Sequence, residues 1–285
     1  FGGAHPLLSH WSRLVDLPVA LLISLFRWIM PAGAAEVAAR TVWPISLFAG
    51  LLFMMARAAA ERAGPTAGYA ALVLGVLCLS GTMQFAPGRI DHHNVMILSA
   101  VTGGLLLAHS FVKPKWGWGA GAFLGFGVAV GYEALLLTGL TLTVAALFAV
   151  LTGNGRSGVR RAALSFASTL SILFLVTTNP ERWRDASCDN LSINLILMTT
   201  AGSIGLAGVL HMRTRRSIEV RIAALAATGI TALAMYTVVG PQCLKGPFAG
   251  LDPRVWPIWL DQVMETHGIL WLAQSLPMVA GVYLV

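Results

Sequence analysis

Apolar stretches of about 17 to 25 residues follow one another along this chain, and each is long enough to cross a hydrocarbon layer of about 30 Å as a helix. We read such spans at residues 42–60, 66–86, 93–111, 117–133, 134–152, 160–178, 192–211, 220–240 and 268–285. A further helix is expected over 12–32, where Asp16, Pro18 and Arg27 interrupt the apolar run and Trp11 and Trp28 bracket it. That pattern suits a helix lying at the interface better than one that crosses. Lipid offers no partner to backbone amides, so repeated spanning implies helices. The expected fold class is all-α, a polytopic transmembrane helix bundle forming a single domain over 1–285, with an interfacial helix and long outer-face loops.

Composition agrees with this pattern. Hydrophobic residues make up 56% of the 285 and charged residues 11%, against about 25% charged in a soluble domain. The net charge of +7 follows the links between spans rather than marking a nucleic-acid surface, and no nucleic-acid partner is expected. One set of links carries Arg57, Arg62, Lys113, Lys115, Arg156, Arg160, Arg161, Arg213, Arg215, Arg216 and Arg221, and the alternate set carries Arg89, Arg182, Arg184, Lys245 and Arg254. The first set is read as cytoplasmic. Asp91, Glu133, Glu181, Asp185, Asp189, Asp252, Asp261 and Glu265 then fall on or near the outer face, where the chemistry is expected. Phe1 to His10 lacks the marks of a signal peptide, and the chain opens in a loop and stops inside an apolar run, so it reads as a fragment. Glycines 117, 119, 121, 125 and 127 are read as helix-packing positions, not as a nucleotide fingerprint, because no strand precedes them.

The polar run from Gln84 to Asn94 joins the spans 66–86 and 93–111. Pro87-Gly88 makes a turn, and Asp91 is placed to cap the helix that follows. The sharper reading is that Asp91 and His93 converge on one divalent cation, the carboxylate suiting Mg2+ or Mn2+ and the imidazole admitting Mn2+ or Zn2+, with Arg89 beside it to grip phosphate oxygens. Soluble phosphoesterases also carry Asp-His-His runs, but the membrane setting excludes them. Tyr132-Glu133 ends another span on the same face, and an ion pair to Arg89 competes there with a catalytic role. His5 and His10 are expected near the same outer cavity.

The stretch from Gly240 to His267 far exceeds a connector of about 2 to 8 residues, and its tryptophans Trp256 and Trp259 suit a sugar or lipid as well as an aromatic belt. Cys188 and Cys243 both fall in outer loops, where an oxidising compartment permits a disulfide and free thiols are the alternative.

Gly-Arg-Ile before Asp91-x-His93, with the outer-face Glu133 two spans later, resembles the GT-C superfamily of membrane glycosyltransferases, in particular oligosaccharyltransferase catalytic subunits. The resemblance implies that Asp91 and His93 bind the catalytic metal. It also implies that a glutamate ending the long outer loop, Glu265 or failing that Asp261, helps hold metal and acceptor. With one span ahead of Phe1, both loops fall where that family has them. The family's first acidic motif and its carboxyl-terminal outer domain have no counterpart here.

The resemblance further implies transfer of a sugar from a polyprenyl-(di)phosphate donor to a glycan, lipid or protein acceptor at the periplasmic face of a bacterial inner membrane. Asp91 and Glu265 would be catalytic, and Arg89, His92, Arg254 and Trp259 would bind substrate. Two other readings stand beside it. A transporter or flippase would use Arg89 and Glu133 without chemistry, and a non-catalytic membrane subunit would leave the Asp91 cluster unexplained.

Overall fold

A computed structural model of the chain describes residues 13–212, 217–248, 254, 256–258 and 260–262. Among them the regular structure is helical, in the order α1 (Arg13–Phe26), α2 (Ala32–Ala63), α3 (Pro65–Leu77), α4 (Leu79–Met83), α5 (His93–Ser110), α6 (Trp116–Val130), α7 (Ala134–Thr152), α8 (Arg156–Thr177), α9 (Ile193–His211) and α10 (Ile218–Val239), with short 3-10 turns between and after them. Five of these, α2, α7, α8, α9 and α10, are long and apolar enough to cross a membrane. The chain is a multi-pass membrane protein.

These five helices answer the expected spans 42–60, 134–152, 160–178, 192–211 and 220–240. The spans 66–86, 93–111 and 117–133 are helical without being among the five, 268–285 lies outside the described residues, and several ends differ, each for a local reason. The helix expected over 12–32 is α1 alone, followed by a turn at 27–30. Its 14 residues reach about 21 Å, short of a crossing. α2 starts ten residues before the expected 42, taking Glu36 and Arg40 into the helix. Arg40 lies at the Asp91 end, because its carbonyl accepts the Gly88 N–H at 2.9 Å. This narrows the charge difference between the two ends of the bundle. The span 66–86 is divided at Cys78, whose ψ of 85° leaves the helical region between α3 and α4. α6 stops at Val130 because Gly131 is extended, which leaves residues 131–133 as a linker to α7.

The bundle is organised around α6 and α8, with α5 packed on α6 and α9 on α8. The glycines explain the closeness of the central pair. A β-carbon at Gly117 would lie 2.2 Å from the Gly158 carbonyl oxygen, one at Gly121 2.1 Å from that of Ala162, and one at Gly125 2.9 Å from that of Phe166. Lipid tails give helices no hydrophobic reason to associate, so close backbone packing carries that load. Gly119 faces Leu106 and Gly127 faces Ser99, so all five expected glycines have packing contacts. Above and below the crossing lie two apolar clusters. Val95, Met96, Leu124, Val128, Phe166, Leu170 and Leu195 fill the Asp91 half. Leu107, Ala120, Ala146, Val150, Val159, Ala162 and Val209 fill the basic half. Leu136, Leu140, Val144, Ile172, Val176, Ile204 and Ile230 point outward, as a lipid-facing surface requires.

Arginines tie the basic end together. Buried Arg221 donates to the Val150 carbonyl at 2.7 Å, and Arg156 donates to the carbonyls of Val209 and Met212. Arg160 lies 3.0 Å from His211 Nδ1. Arg221 and Arg156 satisfy carbonyls at the ends of α7 and α9, where helices leave unpaired acceptors and a partial negative charge.

Candidate functional site

α5 is preceded by a turn whose backbone is pinned at both ends. Gly88, with φ of 91°, takes a conformation that suits glycine and docks its amide on α2. At the other end Asn94, fully buried in the first turn of α5, donates from Nδ2 to the Arg89 carbonyl at 3.0 Å. Among the described residues no donor reaches Asn94 Oδ1. Folded back in this way, the short run from Arg89 to His93 presents four polar side chains together.

Asp91 is the hub. Its Oδ1 accepts the His93 backbone N–H at 3.1 Å, satisfying a first-turn amide from one residue ahead of the N-cap His92, and lies 3.5 Å from His93 Nδ1. Its Oδ2 accepts from Arg89 Nε at 2.7 Å. Burial raises the carboxyl's proton affinity, but the His93 hydrogen bond and the Arg89 charge outweigh it and hold Asp91 below the ordinary aspartate range. The cap and the ligand reading are compatible, since each carboxylate oxygen has two lone pairs.

His92 points away from Asp91. Its ring is buried, stacks on His93 with centroids 4.3 Å apart, and brings Nε2 to 3.6 Å from Glu133 Oε2. The ion pair of Glu133 with Arg89, open on the sequence, does not form: Arg89 turns to Asp91 and Glu133 to His92. The close contact with His92 holds the Glu133 carboxyl below its ordinary range, against the opposing effect of burial. Gly131 makes room for this arrangement. A β-carbon there would lie 2.2 Å from Met96 Sδ, 2.8 Å from His92 Cδ2 and 2.9 Å from Glu133 Oε2.

On the other side of the linker, Tyr132 hydrogen-bonds Tyr236 of α10, oxygen to oxygen 2.9 Å, and burial raises the Tyr132 phenol strongly. Tyr236 packs with Cys188 and Cys243, which form a disulfide between the α8–α9 loop and the turn after α10. Of the two states open on the sequence, the bonded one is present. Fully buried Asn194 completes this cluster, donating to the Ser187 carbonyl at 2.9 Å and accepting from Ser187 N at 3.3 Å and Ser192 Oγ at 2.7 Å.

Arg89, Asp91, His92 and His93 are therefore brought together, with Glu133 added to them. Arg254, Trp256 and Asp261 are exposed. Glu265, Trp259 and Asp252, together with His5, His10 and the span 268–285, lie outside the described residues. Gly131, Tyr236 and Asn194 were not singled out on the sequence. Gly131 alone had a signal, as a glycine opening a polar step between two apolar runs.

Asp91 Oδ1 and His93 Nδ1 fit a metal site as one edge. Two ligands on one cation, each about 2.1 Å from it, stand about 3 to 3.5 Å apart, and these two atoms meet that separation. Among the described residues no three His, Cys, Asp or Glu side chains converge as a ligand set. No protein-family model matches the chain, and no curated protein or solved structure matches it.

Proposed function

We infer that this chain is a membrane glycosyltransferase of the GT-C kind, moving a sugar from a polyprenyl-phosphate or polyprenyl-diphosphate donor to a glycan, lipid or protein acceptor. Its working end is the Asp91 end, facing the periplasm of a bacterial inner membrane. The observation that carries this reading is the Arg89–Asp91–His93 turn, which sets a guanidinium, a carboxylate and an imidazole side by side at the end of a lipid-facing bundle.

A divalent cation, Mn2+ or Mg2+, held by Asp91 and His93, would supply charge neutralisation for the departing phosphate. The third ligand then comes from outside the described residues, with Glu265 the candidate, and Arg254 and Trp259 of the same long loop are candidates to bind donor or acceptor. Arg89 uses one of its five N–H donors on Asp91 and keeps the others for phosphate oxygens. Asp91 draws Arg89 and His93 to one side of the turn, so the anion meets positive charge and the carboxylate stays ionised at neutral pH. Among the described residues the ionisable side chains lie toward helix ends, which gives a flippase no charged group at mid-depth to carry its substrate.

Purified full-length protein in nanodiscs, supplied with Mn2+ and a mixed pool of polyprenyl-linked sugars, tests the reading. Metal-dependent transfer that Asp91→Ala and His93→Ala both lose, with melting unchanged, is the expected result. Mn2+ binding and transfer that survive both substitutions overturn it.

A further inference from the structure

The His92–Glu133 contact lies outside the chemistry assigned to Asp91, and three observations say that it is built. Glu133 stands at the N-cap of α7 and makes no capping bond to that helix. Its carboxylate instead lies 3.6 Å from His92 Nε2. Gly131 is the residue that lets the two approach, since a β-carbon at that position would crowd both His92 Cδ2 and Glu133 Oε2. The linker that carries Glu133 is also anchored from its other side, through the Tyr132–Tyr236 hydrogen bond.

We propose that Glu133 is a positioning residue, which clamps the buried ring of His92 and, through the ring stacked on it, holds the His93 imidazole beside Asp91. Its relevance to sugar transfer rests on the reading of Asp91 and His93 as the metal-bearing pair, while the clamp itself does not. The chain of contacts runs from Glu133 to His92, across a 4.3 Å ring stack to His93, and from His93 Nδ1 to Asp91 Oδ1 at 3.5 Å. It joins the α6–α7 linker to the turn before α5, two segments about forty residues apart in sequence. With Glu133 shortened, the His92 ring loses its contact with that carboxylate, and the stack that supports His93 is expected to loosen.

The test is histidine labelling of full-length, metal-free protein in nanodiscs with diethyl pyrocarbonate, read residue by residue by peptide mass spectrometry. In Glu133→Ala the labelling rates of His92 and His93 are expected to rise about five-fold, with His109 and His211 at the other end unchanged. Glu133→Gln keeps the reach and an acceptor oxygen, so its rates are expected within about two-fold of wild type. Wild-type rates in Glu133→Ala overturn the proposal. So do equal rises in both variants at all four histidines with a lowered melting point, which mark a folding defect. A parallel titration with Mn2+ alone separates the two readings. Weaker binding in Glu133→Ala than in wild type extends the clamp to the metal. Wild type that binds no Mn2+ removes the metal reading and leaves the labelling result to decide the clamp.

Discussion

Two turns at the Asp91 end are built on the same device and put to different uses. α5 and α9 each carry, in the first turn, a fully buried asparagine that reaches back to a carbonyl of the preceding loop: Asn94 to Arg89 and Asn194 to Ser187. Behind Asn194 the partners of the amide itself are buried or half-buried. Its amide oxygen takes two donors, its nitrogen also approaches Cys243 Sγ at 3.7 Å, and the disulfide closes the group covalently. Behind Asn94 the amide makes one bond, and the turn is held by the ions Arg89 and Asp91 with the histidines. A turn that needs only to stay in place satisfies its polar groups internally. On the proposed reading the Asn94 turn meets a charged ligand, a role that suits ionisable groups at its surface and looser anchoring.

The largest change breaks both turns at once. Gly121→Leu drives a side chain into the backbone of α8, separating the α6–α8 pair on which α5 and α9 rest. A cost of at least about 4 kcal/mol is expected, as with other forced backbone separations in packed cores, and is read as loss of monodisperse protein in size-exclusion chromatography. Removing the disulfide through Cys188→Ser with Cys243→Ser attacks one turn only. Loop-entropy reasoning for a 55-residue separation gives up to about 4 kcal/mol, and the melting temperature is expected to fall to match.

Substituting the two asparagines sharpens the contrast. Asn194→Ala strands several buried partners and is expected to cost about 3 kcal/mol, whereas Asn94→Ala strands one and costs about 1 kcal/mol. Equal losses in a melting comparison would remove the distinction. The smallest effect is that of pH. Asp91 and Glu133 have folded-state proton affinities below their ordinary values. Their contribution is therefore fully present above the ordinary carboxylate range and is lost as pH falls through their lowered values. Backbone amides of residues 89–95 are expected to lose protection, relative to their intrinsic exchange rates, below about pH 4, while those of 187–195 hold theirs.

The spans were legible because the solvent for these side chains is lipid, and long apolar runs then have one solution. Their ends were less so. Glu36 and Arg40 read as a link, yet the helix carries them beyond the apolar zone; Cys78 changes backbone direction inside continuous apolar sequence, and Gly131 ends α6 three residues before the expected 133. In the candidate site, Arg89, Asp91, His92 and His93 could be read together because they are adjacent in the chain. Glu133 stands out on the sequence for its depth, with an ion pair to Arg89 and a catalytic role both open; what turns it to His92 is the space left by Gly131 and the engagement of Arg89 by Asp91. Asn194 and Tyr236 look like ordinary helix residues, and only the folded bundle brings them to the cysteines.

The most direct test sets the two turns against each other in one assay, measuring Mn2+-dependent sugar transfer and melting temperature for Asp91→Asn and for the double cysteine variant. The account predicts that Asp91→Asn loses transfer by about 100-fold or more, as expected on removing a metal ligand, and melts within a few degrees of wild type. The cysteine variant is expected to melt markedly lower while keeping transfer within about three-fold at temperatures where it is folded. Transfer retained by Asp91→Asn, or abolished by loss of the disulfide in folded protein, would contradict the assignment of chemistry to one turn and structure to the other.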